Sequence, residues 1–331
     1  MRNKKSVFTK IFPVMVLLLS VLILCGCASQ KPEVKHENTS KLNIVAAIFP
    51  AWDWTRSVLG ENPAGMELTL LLDNGVDLHS FQPSAKDILT IANADLFIYV
   101  GGESDQWVTD ALKQSGNPKL KVLKMLDAVG DAAKTEETVE GMQADEEEEE
   151  EAFDEHVWLS LRNAAVITDA ISSELSALDP DHADIYRNNA DGYKEKLTSL
   201  DEAYQQALAD IPNHTLLFGD RFPFRYLTED YGLDYYAAFS GCSAETEATF
   251  ETISFLARKC DELGLKNILT IDGNDQRIAE TIVKSTEAKD QQILTLDSMQ
   301  SVTAKQIENG TTYLSIMEKD LDVLQKALEV K

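Results

Sequence analysis

Basic residues are the first thing this chain lacks. Its 331 residues hold 30 Lys and Arg against 56 Asp and Glu, a formal net charge of −26. Binding to nucleic acid needs clustered cations against phosphate, so that partner class is excluded and cations become the natural ligands. Cysteine is scarce too, with four in the whole chain. Two of these, Cys25 and Cys27, lie near the N-terminus, which leaves Cys242 and Cys260. A disulfide framework is thereby excluded, and two unpaired thiols are expected in preference to a single bridge. The main apolar run, Ile11 to Leu24, is about 14 residues long and falls short of the roughly 20 that span a bilayer. The His-Glu-x-x-His pattern is missing as well, which removes the commonest signature of a zinc hydrolase.

What is present begins with a charged leader. Arg2, Lys4, Lys5 and Lys10 precede the apolar run, and Leu24-Cys25-Gly26-Cys27 follows it. This order reads as a secretory signal over residues 1–26, excluded from the fold. The tetrapeptide resembles a bacterial lipobox, which implies that Cys27 is the lipid-modified N-terminus of the mature protein. Residues 27–41 are polar and aperiodic, as expected of a tether to the membrane.

From Leu42, short apolar runs alternate with amphipathic segments. "LNIVAAIF", "MELTLLL", "ADLFIYVGG" and "LKVLKML" read as strands of one lobe, residues 42–178. "HTLLFGD", "LDYYAAFS", "LKNILTID" and "DQQILTLDS" read as strands of a second, residues 212–331. Buried strands followed by helices predict two α/β lobes, each with a mainly parallel sheet. Between them, residues 179–211 read as one long helix, capped by Asp179, with Pro180 in its first turn and Pro212 beyond its end. Tyr186, Ala190, Tyr193, Leu197, Leu200, Tyr204, Leu208 and Ile211 fall on one stripe of it. A rigid connector of this kind limits hinge closure.

Five histidines are present, at 36, 79, 156, 182 and 214. His36 falls in the tether, His182 at the exposed start of the long helix and His214 at a turn, so all three read as solvated. His79, in "DNGVDLHSFQPSAKD", follows a strand and precedes a helix that Ser84 can cap. His156 follows the acidic run and precedes a helix beginning near Ser160. Both lie beyond strand carboxyl ends, where open α/β sheets bind ligands.

The segments "LHSFQPSAKDILTIANADLFIYVGG", "DEHVWLSLRNA", "ALDPDHADIYRNNADGY", "GCSAETEATFETI" and "IAETIVKST" together resemble the substrate-binding lipoproteins of bacterial zinc and manganese ABC transporters. The resemblance implies that His79 and His156 are metal ligands, and that two more come from the second lobe. There the chain departs from the pattern. "FGDRFPF" puts Arg221, which cannot ligate, at the expected ligand position. Asp220 is therefore the expected third ligand, with a helix cap at Phe222 as its alternative role. Asp272 after "ILTI" is the expected fourth, with Glu245 and Glu247 in reserve. Two imidazoles and two carboxylates suit Zn2+, with Mn2+ or ferrous iron as alternatives, and disfavour thiolate-loving metals.

Between residues 135 and 155 stand twelve acids and no Lys or Arg. Such a block is expected to be disordered, and serves either to concentrate cations near the site or simply to solubilise. The expectation is a monomeric, non-enzymatic receptor on the extracytoplasmic face of the membrane, lipid-anchored through Cys27, that delivers zinc to an ABC transporter permease. The alternatives are a manganese or iron receptor of the same type, an adhesin with a structural metal, and, last, a secreted zinc hydrolase.

Overall fold

Residues 41–143, 152–243 and 247–329 are described by the computed structural model. The signal peptide, Cys27 and its tether up to residue 40, Glu146 to Glu151, and Glu245 lie outside them. In the first lobe, β1 (Asn43–Ala46), β2 (Glu67–Leu70), β3 (Leu96–Tyr99) and β4 (Lys121–Lys124) pair in the order β2-β1-β3-β4, all parallel. Parallel neighbours require crossovers, and α1 (Phe49–Leu59), α2 (Ala85–Ala92) and α3 (Gln106–Ser115) supply them, with α4 (Met125–Val129) following β4. Ser84 caps α2 in a reciprocal box with Asp87, so the chain between β2 and α2, which carries His79, has a fixed exit.

Two helices lead to the second lobe. α5 (Leu161–Leu178) is capped by Ser160, and α6 (Ala183–Leu208) packs along it. At 26 residues α6 is about 39 Å long, and Tyr186, Ala190, Tyr193, Leu197, Leu200, Tyr204 and Leu208 are buried on it. Asp179 does not cap the long helix as expected, because a 3-10 turn over Pro180–His182 intervenes. Its carboxylate instead accepts the Tyr186 hydroxyl at 2.6 Å and lies 2.7 Å from His182 Nδ1, so His182 is hydrogen-bonded rather than simply solvated.

β5 (Thr215–Phe222) starts the second sheet, followed by α7 (Arg225–Tyr231), β6 (Asp234–Ser240), α8 (Phe250–Leu263), β7 (Asn267–Ile271), α9 (Arg277–Ser285) and β8 (Gln292–Leu296). The strand order is β6-β5-β7-β8, again parallel, and repeats the first lobe with the first strand inside and the second at the edge. The helix expected from Phe222 starts only at Arg225. The strand runs on to Phe222 through a register shift between Phe218 and Arg221. Gly219 permits this irregularity, since a Cβ there would meet the Ala279 backbone of α9 at 2.6 Å. Asp220 thus sits on a bulged strand, and bulges re-aim side chains.

After α10 (Ala304–Glu308), the last helix, α11 (Tyr313–Ala327), packs against α1, α6 and β8. Tyr313 donates its amide to Asp53 at 2.9 Å and its hydroxyl to the Trp158 carbonyl at 2.6 Å, and the Tyr204 hydroxyl of α6 reaches the Met317 carbonyl at 2.6 Å. One apolar core includes residues of both sheets and of these helices, so the lobes are braced rather than hinged on a flexible strand.

The acidic segment is not wholly the free polyanion that its charge implies. Thr135 and Phe153 form an antiparallel bridge, Glu136 N donates to the Ala152 carbonyl at 2.7 Å, and Gln143 N donates to the Ala238 carbonyl of β6 at 3.0 Å. Both ends of the segment are therefore built into the fold.

Candidate metal centre

His79 stands on a 3-10 turn, Leu78–Ser80, at the carboxyl end of edge strand β2. Asp77 opens the turn by accepting the His79 amide at 2.9 Å. His156 arrives from the other side, between the base of the acidic segment and the buried turn Val157–Leu159. Their Nε2 atoms face each other at 3.1 Å, and both imidazoles are buried, with side-chain exposures of 6% and 0%.

The opposite ring nitrogens are fixed. His156 Nδ1 lies 2.9 Å from Asp154 Oδ1, and since a carboxylate only accepts, Nδ1 carries the hydrogen and Nε2 presents a lone pair. His79 Nδ1 lies 2.6 Å from the hydroxyl of Ser104, which can donate or accept. Glu155 holds Ser104 in place by accepting its amide at 2.7 Å. Asp154 and Glu155, two members of the acidic run, thus form the back wall of the site, and each is only 1% exposed.

Burial and repulsion from His156 push the His79 pKa down to about 3. Burial acts against protonation of His156 too, but the adjacent Asp154 carboxylate outweighs it and raises the pKa above the ordinary value. The two Nε2 atoms converge on the space between the rings, the position a bound cation would take. Tetrahedral zinc with Zn–N bonds of 2.0–2.1 Å spaces its nitrogens about 3.3 Å apart, close to the observed separation. Buried acceptor oxygens without a donor, Asp154 Oδ2 and Glu155 Oε2, flank the pair, and burial raises the Glu155 pKa to about 7.

The two remaining expected ligands, Asp220 and Asp272, are engaged by other donors. Asp220 lines a cleft of about 390 Å³ together with Asp77, His79, Arg221 and Asn274. Its carboxylate, however, accepts from Ile271 N, Asn274 Nδ2 and Arg221 N at 3.1, 2.7 and 2.8 Å. Asp272 accepts from the amides and hydroxyls of both Ser298 and Ser301, stapling the loop after β8. Neither carboxylate joins the imidazole pair. Among the described residues, the donor that does is Cys242: its Sγ and one ring nitrogen of each histidine lie mutually within 4.8 Å. Glu247 is exposed and outside this cluster. Arg221 donates to Asp77 Oδ2 at 2.5 Å, so its guanidinium ties the two lobes together beside His79.

The sequence reading expected Cys242 to be an unpaired thiol and gave it no role. Its signal was position: "GCS" directly ends the apolar strand "LDYYAAFS", as "LHS" comes shortly after "LTLLL" in the first lobe. Gly241 makes the approach possible, because a Cβ there would meet the Phe222 carbonyl at 2.8 Å and His156 Cε1 at 3.0 Å.

Residues 44–327 match the family described as zinc-uptake complex component A, periplasmic. The chain belongs to this family. It is 32% identical over 314 residues to the zinc-binding lipoprotein AdcA of Streptococcus pneumoniae, covering 94% of this chain and 60% of that protein. The chain thus spans about three-fifths of the length of the curated relatives it first matches. Against the high-affinity zinc uptake system protein ZnuA of Bacillus subtilis it is 26% identical over 307 residues, 93% of each chain. Among solved structures, the Zn(II)-bound ZnuA-like domain of Streptococcus pneumoniae AdcA superposes with a TM-score of 0.69 at 30% identity, over 87% of this chain and 99% of that one. The fold agrees with the two-lobed α/β expectation.

Proposed function

We propose that this protein is a non-enzymatic, extracytoplasmic zinc receptor that hands its ion to an ABC transporter permease. The observation that carries the reading is the buried imidazole pair, with Nε2 atoms 3.1 Å apart and Nδ1 atoms held by Asp154 and Ser104. Outer-shell partners of this kind fix tautomer and ring orientation at metal sites. Membership of a zinc-uptake family and relatives named for zinc support the choice of ion. His79 and His156 supply the nitrogens in this reading, while Asp220 and Asp272 frame the second lobe.

Residues 1–26 direct export, Cys27 takes the lipid, and the mature protein acts as a monomer. Persistence of a Cys27→Ala variant in the membrane fraction, processed and lipid-labelled, would overturn the anchoring. Calorimetry on demetallated protein tests the function itself. One tight zinc site is expected, with His79→Ala and His156→Ala each weakening it at least a hundredfold and His182→Ala leaving it unchanged. Tight manganese binding with weak zinc binding would show that the ion is wrong.

A further inference from the structure

The side chain that completes the cluster is a thiol that the sequence left without a role. Building on the zinc-receptor reading, we propose that Cys242 binds zinc as a thiolate and forms, with His79 and His156, a donor set of two nitrogens and one sulfur. Three observations lead there. The Cys242 sulfur and a ring nitrogen from each histidine are mutually within 4.8 Å, which one ion can draw into its coordination sphere. Cys242 follows β6 and His79 follows β2, the second strands of two sheets with the same order, so each lobe extends a donor from its equivalent edge. The Cys242 backbone is also held in place: its amide donates to Glu136 Oε1 at 2.8 Å, and Gly241 brings the loop against His156.

The same geometry explains the departure from the expected ligand pattern. Arg221 cannot coordinate, and Asp220 is occupied by three donors. A thiolate from the neighbouring strand end supplies the missing anionic ligand. On binding, the S–H bond breaks, the proton passes to water, and the sulfur lone pair forms the bond to zinc, with no change of oxidation state. Thiolate with imidazole suits zinc, whereas manganese prefers oxygen donors, so Cys242 is also a specificity determinant.

Cobalt(II) added to the demetallated protein provides the test, because a thiolate ligand produces a sulfur-to-cobalt charge-transfer band in the near ultraviolet. The parent and Cys260→Ser should show the band, and Cys242→Ser should lose it and bind zinc at least tenfold more weakly. In the parent, saturating zinc should protect Cys242 from alkylation, located by peptide mass mapping, which needs no variant to fold. Cobalt bound without the band, or Cys242 alkylated equally with and without zinc, would overturn the assignment while leaving the zinc-receptor reading intact. A parent that binds neither zinc nor cobalt would instead sink that reading.

Discussion

Asp154→Asn removes one negative charge from behind His156 with almost no change in shape. In the parent, Asp154 Oδ1 accepts the His156 amide at 2.8 Å and lies 2.9 Å from Nδ1, while Oδ2 is buried without a donor. The asparagine oxygen can keep both contacts, so the fold and the ring position should survive. The ring keeps its tautomer but loses the negative charge that raises its basicity. Loss of such an outer-shell carboxylate costs about 10–100-fold in metal affinity, or about 1.4–2.8 kcal/mol. Competition against a chromophoric zinc chelator at pH 7 measures the loss, and urea denaturation of the metal-free protein checks the fold. His182→Ala is the control, since its partner is Asp179 at the C-terminal end of α5, away from Ser160 and the site. Parent-like zinc affinity in Asp154→Asn would refute a role for the carboxylate charge, and so would a loss seen only together with unfolding.

Gly241→Ala should weaken zinc binding at least tenfold, because its methyl would push the Cys242 loop from His156 by way of the 2.8 Å contact with the Phe222 carbonyl; unchanged affinity in a chelator competition would show that this approach is not needed. Excision of residues 144–151 should leave affinity unaltered, since the acids that touch the site, Glu136, Asp154 and Glu155, lie outside it; a weakened site by calorimetry would place a ligand in that segment. Burial and the charge of Asp272 raise the Asp297 pKa to about 7, from 3.8. The folded state therefore favours the protonated acid, and this stabilisation is complete below about pH 4 and lost as pH rises through about 7. Asp297→Asn should flatten the parent's decline in urea stability over that range by up to about 1.4 kcal/mol per pH unit. Parallel curves would contradict it.

The fold was largely legible because its strands are short, nearly continuous apolar runs, and its helices begin at recognisable caps such as Ser84 and Ser160. His79 and His156 could be singled out because each follows a strand or turn rather than lying on an apolar stripe. The surroundings of Asp220 were less legible: the sequence placed a helix start at Phe222, whereas the strand continues to Phe222 through a bulge at Gly219, where α9 packs closely. Asp154 and Glu155 were hidden inside a charge run, since nothing local separates a buried acid that meets a donor across the fold from a solvated one beside it. The approach of Cys242 to the histidines depends on edge strands of two different sheets, a relation between lobes that periodicity within either one cannot report.

Anomalous diffraction at the zinc edge from crystals of the zinc-loaded protein tests the central claim most directly. The account predicts one strong peak between the two imidazoles, about 2.0–2.1 Å from His79 Nε2 and His156 Nε2. The same peak should lie about 2.3 Å from Cys242 Sγ if the thiolate ligates. A zinc peak held by Asp220 or Asp272 away from the histidine pair, or no ordered zinc at all, would contradict it.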